Sequence, residues 1–517
     1  MTSEKKTLDF QELKLSDSFD TARISKHFKD LYGNVFVYVN NQLYYFNGVY
    51  WAQDNKKSSF LNNFICSEYY ELLSNVLNDL TIQNTKEKNI DIKTNNDCKL
   101  KKMRDQVSRL LNHKKREDYI KDIICKLTND DIRFDENPDL FAFKNKIFDL
   151  KQNKFVDPEP SQYISFTTGY DYEEPTEDTI NELDTFIDII FTQPELKHLY
   201  LTILSTGLEG KNLEKFVLAN GGGGNGKGVL NELTKLMLGD YCYVLPSNVL
   251  LGPLKTGSNP EIANMKNRRL VFCREPDIDF KINAATMKEL TGGEEINARL
   301  NHSNDTKTIL NCTLIMECNE KPKLSEVSAA VARRIIDIPF KTTFVEDKIY
   351  NTLEPEQRIN IFIGNPYYKS KEFKEKHKLS LFHILMKKYN EYITNNSNLP
   401  ITDEIIKRNK EYLESSDDIG EWINDNYTKT GDKKDRIKLK SLFEHFKQSD
   451  HFKNLPRKNQ NMLTYKSFQS KLQGNIFFKF SIEVNNHGTY EFRGYKKAEC
   501  DFNDEDDYEE PKSKLDF

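Results

Sequence analysis

The sequence predicts an α/β protein built on one central parallel sheet, with an α+β region before it and a winged-helix-like unit after it. Three observations carry this reading. A short apolar strand runs through a glycine-rich turn into an amphipathic helix at 215–238, KFVLANGGGGNGKGVLNELTKLML. Three more apolar, β-branched strands follow, at RRLVFCREPD (268–277), LNCTLIMECN (310–319) and AAVARRIIDIPF (329–340). Beyond 400 come three helical patterns and then a hairpin turning at Asn485-Asn486-His487-Gly488, the order expected of a winged helix.

Length and composition bound the rest. The chain has 517 residues, enough for about three domains. Charged residues make up 30% and apolar ones 37%. No run of ~18 apolar residues exists, which excludes a membrane-spanning helix. The opening MTSEKKTLDF has no apolar core of a secretory signal. The eight cysteines form no C-x-x-C pair, so neither a zinc site nor a disulfide framework is indicated. The expectation is a reduced, cytosolic protein that is not secreted.

Taken in order, residues 1–30 form a polar lead-in. VFVYVNNQLYYFNGVYW (35–51) alternates aromatic and β-branched residues around Asn-Asn and Asn-Gly turns, a β-meander signal. Its aromatics fit a small sheet core better than a base-stacking surface. Helical spacing follows at 59–82 and 100–127, where Val107, Leu110 and Leu111 precede Ile120, Ile123 and Ile124. Residues 139–166 read as short strands joined by turns. The Pro- and acid-rich seam DYEEPTED (171–178) suggests a boundary. The predicted layout is therefore a 1–30 lead-in, a 31–175 α+β domain, a 176–345 core, and a 346–400 connector and helix. A 401–497 basic winged unit and a 498–517 acidic, disordered tail complete it. NPYYKSKEFKEKHK, within 345–378, reads as a solvated connector. Between Lys429 and Lys479 thirteen Lys or Arg stand against four acids, while 499–510 holds eight acids and no base. Such a basic block suits a polyanion; Lys438, Lys440, Lys466 and Lys471 are its candidate DNA contacts.

The strongest chemistry lies in the glycine loop. Gly221, Gly222, Gly223, Gly224, Asn225 and Gly226 precede Lys227, a G-x-x-x-x-G-K pattern in strand–loop–helix context. Glycines let backbone N–H groups turn inward onto phosphates. The helix N-terminus adds a positive dipole end. Lys227 places a point charge at the β- and γ-phosphates. The pattern predicts the phosphate loop of a single P-loop ATPase core, of the RecA-like or AAA+ type. Gly228, followed by Val229, stands where Ser or Thr would hold Mg²⁺.

The downstream strands supply companions. Glu275 lies 48 residues after Lys227 at the end of an apolar strand, where a carboxylate can hold Mg²⁺ or polarise water. Asp277 is a second candidate. Asn319 ends the next strand and can orient water beside a γ-phosphate. Arg333 and Arg334 precede another strand, and a guanidinium there can neutralise transition-state charge. Gly221 to Arg334 spans 114 residues, room for one such core and not two. A single core leaves its site open on one side, so the arginine comes most naturally from a neighbouring subunit in a ring.

Together GGGGNGKG (221–228), RRLVFCREPD, MKELTGGEEINARL (287–300), TLIMECNEKP (313–322) and VARRIIDIPF (331–340) closely resemble superfamily 3 helicases. Within these the resemblance is to the poxvirus-type primase-helicases of large DNA viruses and related phage and plasmid proteins. It covers about 30 to 340 well, and the C-terminal region more loosely. It implies ATP-driven 3′→5′ translocation on single-stranded or forked DNA by a homo-oligomeric, hexameric ring, with ATP and Mg²⁺ as cofactors. It assigns Lys227 to phosphate, Glu275 to metal or water, Asn319 to γ-phosphate sensing, and Arg333/Arg334 to the finger. MKELTGGEEINARL would precede a channel hairpin with its tip at 301–304, where His302, with Lys307 behind it, meets DNA. With few residues before position 30, the expectation is a helicase without its own primase, served by a separate primase and replication factors. Two other readings remain at this level. One is a ring ATPase that loads or packages DNA without unwinding. The other is a non-catalytic nucleic-acid-binding module with a degenerate pocket, which Gly228 alone favours.

Overall fold

A computed structural model of the chain describes residues 19–55, 58–254, 257–276, 281–298, 307–455 and 457–498. The meander is where the sequence places it. Phe36–Val39, Gln42–Phe46 and Trp51–Gln53 pair antiparallel in that order. Helices Tyr70–Thr85, Ile90–Arg109 and His113–Leu127 pack around it with helix Thr21–Tyr32. The aromatics make this unit's core: Phe28 lies edge-on to Tyr69 at 5.0 Å and 5.6 Å from Phe36. Both phenylalanines are buried.

The three short strands Leu140–Ala142, Ile147–Asp149 and Lys154–Val156 form a separate antiparallel sheet. Here the packing departs from the predicted seam at 171–178. Phe141, Phe143, Phe148 and Tyr172 share one hydrophobic core with Leu183, Val217 and Leu230. Arg269 fixes this attachment. Its guanidinium is fully buried, donates to Leu140 O at 2.5 Å and to Leu208 O, and lies 4.3 Å over the Tyr241 ring. The Pro- and acid-rich stretch is a mostly exposed, irregular segment that puts Tyr172 in the shared core and leads into helix Glu177–Ile190.

The central sheet has five parallel strands. In chain order they are Phe216–Asn220 (β1), Cys242–Leu245 (β2), Leu270–Cys273 (β3), Thr313–Cys318 (β4) and Ile335–Pro339 (β5). Their spatial order is β5-β1-β4-β3-β2. Both faces are covered, so the strands read as continuous apolar runs. Helix Lys227–Leu238 (α1) covers one face through Leu230, Leu233 and Met237.

The predicted solvated connector is a correction. Lys371–Thr394 is one long helix (α2) with Phe373 and His377 fully buried near its start. Before it, Thr343–Val345 and Ile361–Ile363 pair parallel. Lysines dominate the sequence there and masked the inward stripe, since α2 packs one side and leaves its charges in water. Helix Asp403–Ser415 (α3) then lies beside β5, its Asn409 side chain accepting the Asp337 N–H at 2.8 Å.

The C-terminal unit follows the order helix Asp418–Asn426, strand Arg436–Lys438, helices Leu439–Gln448 and Tyr465–Gly474, then hairpin Ile482–Val484 and Tyr490–Arg493. The first of these strands pairs with the last, giving an antiparallel sheet around Trp422, Phe446, Phe468 and Phe492. The hairpin turns at 485–488, with Asn485 N–H on Thr489 O at 3.0 Å. Among the described residues no helix is long and apolar enough to cross a membrane.

Candidate functional site

The C-terminal edge of the central sheet brings three sequence-predicted groups together. β1 ends at Asn220, the chain turns through 221–226, and α1 starts at Lys227. Two of the glycines are required by space. A Cβ at Gly221 would lie 2.3 Å from Asn225 Nδ2 and 2.6 Å from Phe340 O. Gly226 has φ +80°, and a Cβ there would lie 2.6 Å from Ile190 Cγ1. Gly223 N–H bonds Gly221 O at 2.7 Å, and Phe344 N–H bonds Gly224 O at 2.6 Å, which pins the turn.

Lys227 is buried and its Nζ donates to Cys318 O at 2.5 Å. Gly221 N–H shares that carbonyl at 3.2 Å. Burial lowers the ammonium's pKa, with Cys318, Glu317 and Glu275 pulling the other way. The Cys318 thiol is itself neutral, since burial pushes it up to about 12. Lys227 is thus held by a carbonyl and not by a carboxylate, and a phosphate would be the stronger partner. Asn225 accepts Lys227 N–H at 3.2 Å, yet its Nδ2 is buried with no hydrogen-bond partner. An orphaned buried donor is rare enough to need an explanation, and an anion in the loop supplies one. Gly228 lies exposed on the first turn of α1, with open space around a built Cβ, while Val229 is buried.

Glu275 follows β3, and its Oε1 accepts the N–H groups of Asn319 and Glu320, each at 3.0 Å. This ties the ends of β3 and β4 together and sets Glu275 beside Asn319, whose side chain is exposed. The same edge carries a cluster that sequence reasoning missed. Asp337 in β5 is fully buried and meets Lys321 Nζ at 2.8 Å, Arg408 Nη2 at 3.1 Å and the Asn220 amide. Two cations on one carboxylate leave a positive surplus beside the loop. Lys321 stood in the CNEKP stretch and could have been noted. Arg408 arrives from α3, and no local pattern marks it.

Arg333 and Arg334 are not at this edge. They precede β5, and the register pairs Ile335 with Phe216 and Pro339 with Asn220. Five and six residues from Pro339, they lie ~16–20 Å from the loop end of the sheet. The two also differ. Arg333 is 63% exposed at its side chain and 3.7 Å from Glu214. Arg334 is buried, with Nη1 on Ala330 O at 2.8 Å, and desolvation lowers its pKa.

Strands Glu295–Asn297 and Lys307–Ile309 pair antiparallel, with Lys307 opposite Asn297. The intervening tip with His302, and Asp277 after β3, lie outside the described residues. In the C-terminal unit Lys438, Lys440 and Lys466 are exposed. Lys471 is exposed as well and borders a small cleft with Lys281 and Asp418, where Asp418 also meets Lys323 Nζ at 3.0 Å.

Residues 25–192 match the family model described as D5 N terminal like. A helicase-named protein of Acanthamoeba polyphaga mimivirus, L207/L206, is 34% identical over 217 residues, 41% of this chain and 23% of that protein. Primase D5 of fowlpox virus (strain NVSL) is 31% identical over 252 residues, 46% of this chain and 31% of that protein. The chain thus spans a quarter to a third of these relatives' lengths. Among solved structures, the apo C-terminal region of NrS-1 aligns over 68% of this chain and 83% of its own, at 12% identity and a TM-score of 0.33, too low to carry an argument. The chain is thus similar, over residues 25–192, to the D5 N-terminal region and, over part of its length, to helicase- and primase-named proteins of large DNA viruses.

Proposed function

We propose that the chain is an ATP-dependent, superfamily 3 DNA helicase of viral or mobile-element replication, working as a homo-oligomeric, hexameric ring on single-stranded or forked DNA. The observation behind this is the convergence of Lys227, Glu275 and Asn319 on one sheet edge, around a glycine loop with an orphaned amide donor at Asn225.

The roles follow from the geometry. The loop N–H groups and Asn225 Nδ2 receive the β- and γ-phosphates. Lys227 leaves Cys318 O for phosphate oxygen. Glu275, oriented by its two N–H donors, keeps its second oxygen for the attacking water. Asn319 orients that water. The residues fit Mg²⁺ loosely: Glu275 offers one carboxylate, Gly228 offers no oxygen, and the described residues contain no cluster of three or more metal-ligating side chains. Bound Mg²⁺ would neutralise phosphate charge, with water and phosphate oxygens completing its shell. Arg333 of one subunit serves the loop of the next. Lys307 and His302 are assigned to DNA by the same resemblance, and the exposed Lys438, Lys440, Lys466 and Lys471 meet phosphates.

The test is ATP hydrolysis with and without single-stranded DNA, alongside unwinding of a forked duplex and a blunt control. DNA-stimulated turnover and fork-dependent unwinding are expected. Stimulated turnover without unwinding would favour a loading or packaging ring. Normal turnover in Lys227→Ala would end the ATPase reading.

A further inference from the structure

The C-terminal unit carries an open hollow of about 460 Å³, lined by Lys438, Lys440, Ser441, Glu444, His445 and Gln448. Lys438 ends the strand Arg436–Lys438, and the other five stand on helix Leu439–Gln448. Their spacing puts them on one side of that helix. Leu439, Leu442, Phe443 and Phe446 take its other side into the unit's core. Glu444, the acid on the lining, lies 3.6 Å from Lys447. Neither Lys438 nor Lys440 has an ion-pair partner among the described residues. Two uncompensated cations therefore border the hollow, and both are exposed.

The chain itself leads to this place. Strand Tyr495–Lys497 pairs with Tyr427–Lys429, with Lys497 opposite Tyr427. Tyr427 Oη lies 2.7 Å from His445 Nδ1. Burial, and then the nearby charge of Lys497, lower the His445 pKa. Ala498 N–H bonds Asn426 O at 2.9 Å. The next twelve positions, 499–510, lie outside the described residues; they hold eight acids, no base, and the aromatics Phe502 and Tyr508. Twelve residues can span about 40 Å, so the acids are tethered within reach of the hollow. We propose that residues 499–510 dock on the Lys438 and Lys440 face of their own chain and compete there with DNA phosphates. A run of carboxylates offers these lysines the same charge partner as a phosphate backbone. Covalent attachment presents it at an effective concentration on the order of mM. The competition rests on the DNA reading of these lysines, whereas the contact does not.

Two measurements on the full chain decide it. Fluorescence anisotropy with a labelled oligo-dT reads DNA affinity at low salt. Replacing the eight acids of 499–510 by Asn or Gln is expected to tighten binding about tenfold. In a chain that also carries Lys438→Ala and Lys440→Ala, the same replacement should give little gain. An equal gain in both backgrounds would show a general charge effect and overturn the docking, as would no gain in either. Zero-length carbodiimide cross-linking of the wild-type chain without DNA is independent of any variant's folding. Cross-links are expected from acids of 499–510 to Lys438 or Lys440, in product of monomer mass under denaturing conditions, and added oligo-dT should suppress them. Cross-links from this segment only to other lysines would sink the proposal. The expected cross-links found only in dimer-mass product would place the segment on a neighbouring copy and overturn the contact within one chain. The expected cross-links with no DNA binding in any variant would support the contact and refute the DNA reading of the lysines instead.

Discussion

The two edges of the central sheet are built on different plans. At the C-terminal edge, backbone fixes almost everything: a pinned glycine turn, a carbonyl that holds Lys227, and two N–H groups that hold Glu275. At the N-terminal edge, Arg333 projects into solvent with a 3.7 Å neighbour in Glu214. An exposed pair of that kind contributes little and releases readily. The first edge gathers Lys227, Glu275 and Asn319 from one chain. The second carries a largely exposed cation whose ion-pair partner among the described residues is Glu214.

The comparison can be broken most forcefully at the arginines. Arg333→Ala should lower ATP turnover about a thousandfold with nucleotide affinity unchanged. Mixing it with Lys227→Ala subunits should restore part of the activity, because some interfaces would keep both groups. Mixed rings that stay inactive at every ratio would refute action between subunits. Arg334→Ala should show mainly as a lower unfolding midpoint in calorimetry, since that side chain is buried and bonded within its own chain.

At the other edge, Lys227→Ala should weaken triphosphate binding about a hundredfold, by loss of a charge-assisted contact of the kind typical for phosphate. The unfolding midpoint should not fall, because the lost partner is one carbonyl that Gly221 N–H also bonds. A collapsed fold would make Lys227 structural instead.

Gly228→Ser sharpens the picture of the metal. Open space around the built Cβ admits the hydroxyl, and Gly has poor helix propensity. The variant should stay active and reach half-maximal turnover at a few-fold lower free Mg²⁺. An unchanged midpoint in a Mg²⁺ titration would mean another group already provides that oxygen.

A pH scan separates the N-terminal unit from both edges. Burial depresses His27 from 6.5 to about 4, against the nearby Asp30 and with Arg23; its Nδ1 lies 3.1 Å from Tyr69 Oη. The unfolded chain therefore binds the extra proton first, so stability falls as pH drops from about 6.5 towards 4. His27→Gln should flatten that part of the unfolding profile. A profile identical to wild type would show that His27 is not the titrating group.

Much of this was legible in the residues. The meander, the helices around it, the glycine loop and the C-terminal hairpin each carry a local signal, period two, period 3.6 or a turn pair, that does not depend on distant neighbours. Glu275 and Asn319 were legible because a polar residue ending an apolar strand must emerge at the sheet edge. The seam at 171–178 misled because composition reports exposure along the chain and not which core a strand joins. Phe373 and His377 were hidden by the lysines around them, which place their charges in water while the helix buries its other side.

The sequence by itself determined the chemistry of the loop. Gly221 and Gly226 have no room for a side chain, and Lys227 has one place to go once a helix starts there. Only the tertiary structure decided which groups share that edge. Strand order put β4 next to β1, so that Cys318 O and Asn319 reach the loop, and parallel direction carried Arg333 and Arg334 to the opposite end. It also brought Arg408 and Tyr368 to the loop from segments far along the chain. Covalent spacing fixes a turn over a handful of residues, but contacts between distant segments are chosen by burial of the whole core, which no local pattern encodes.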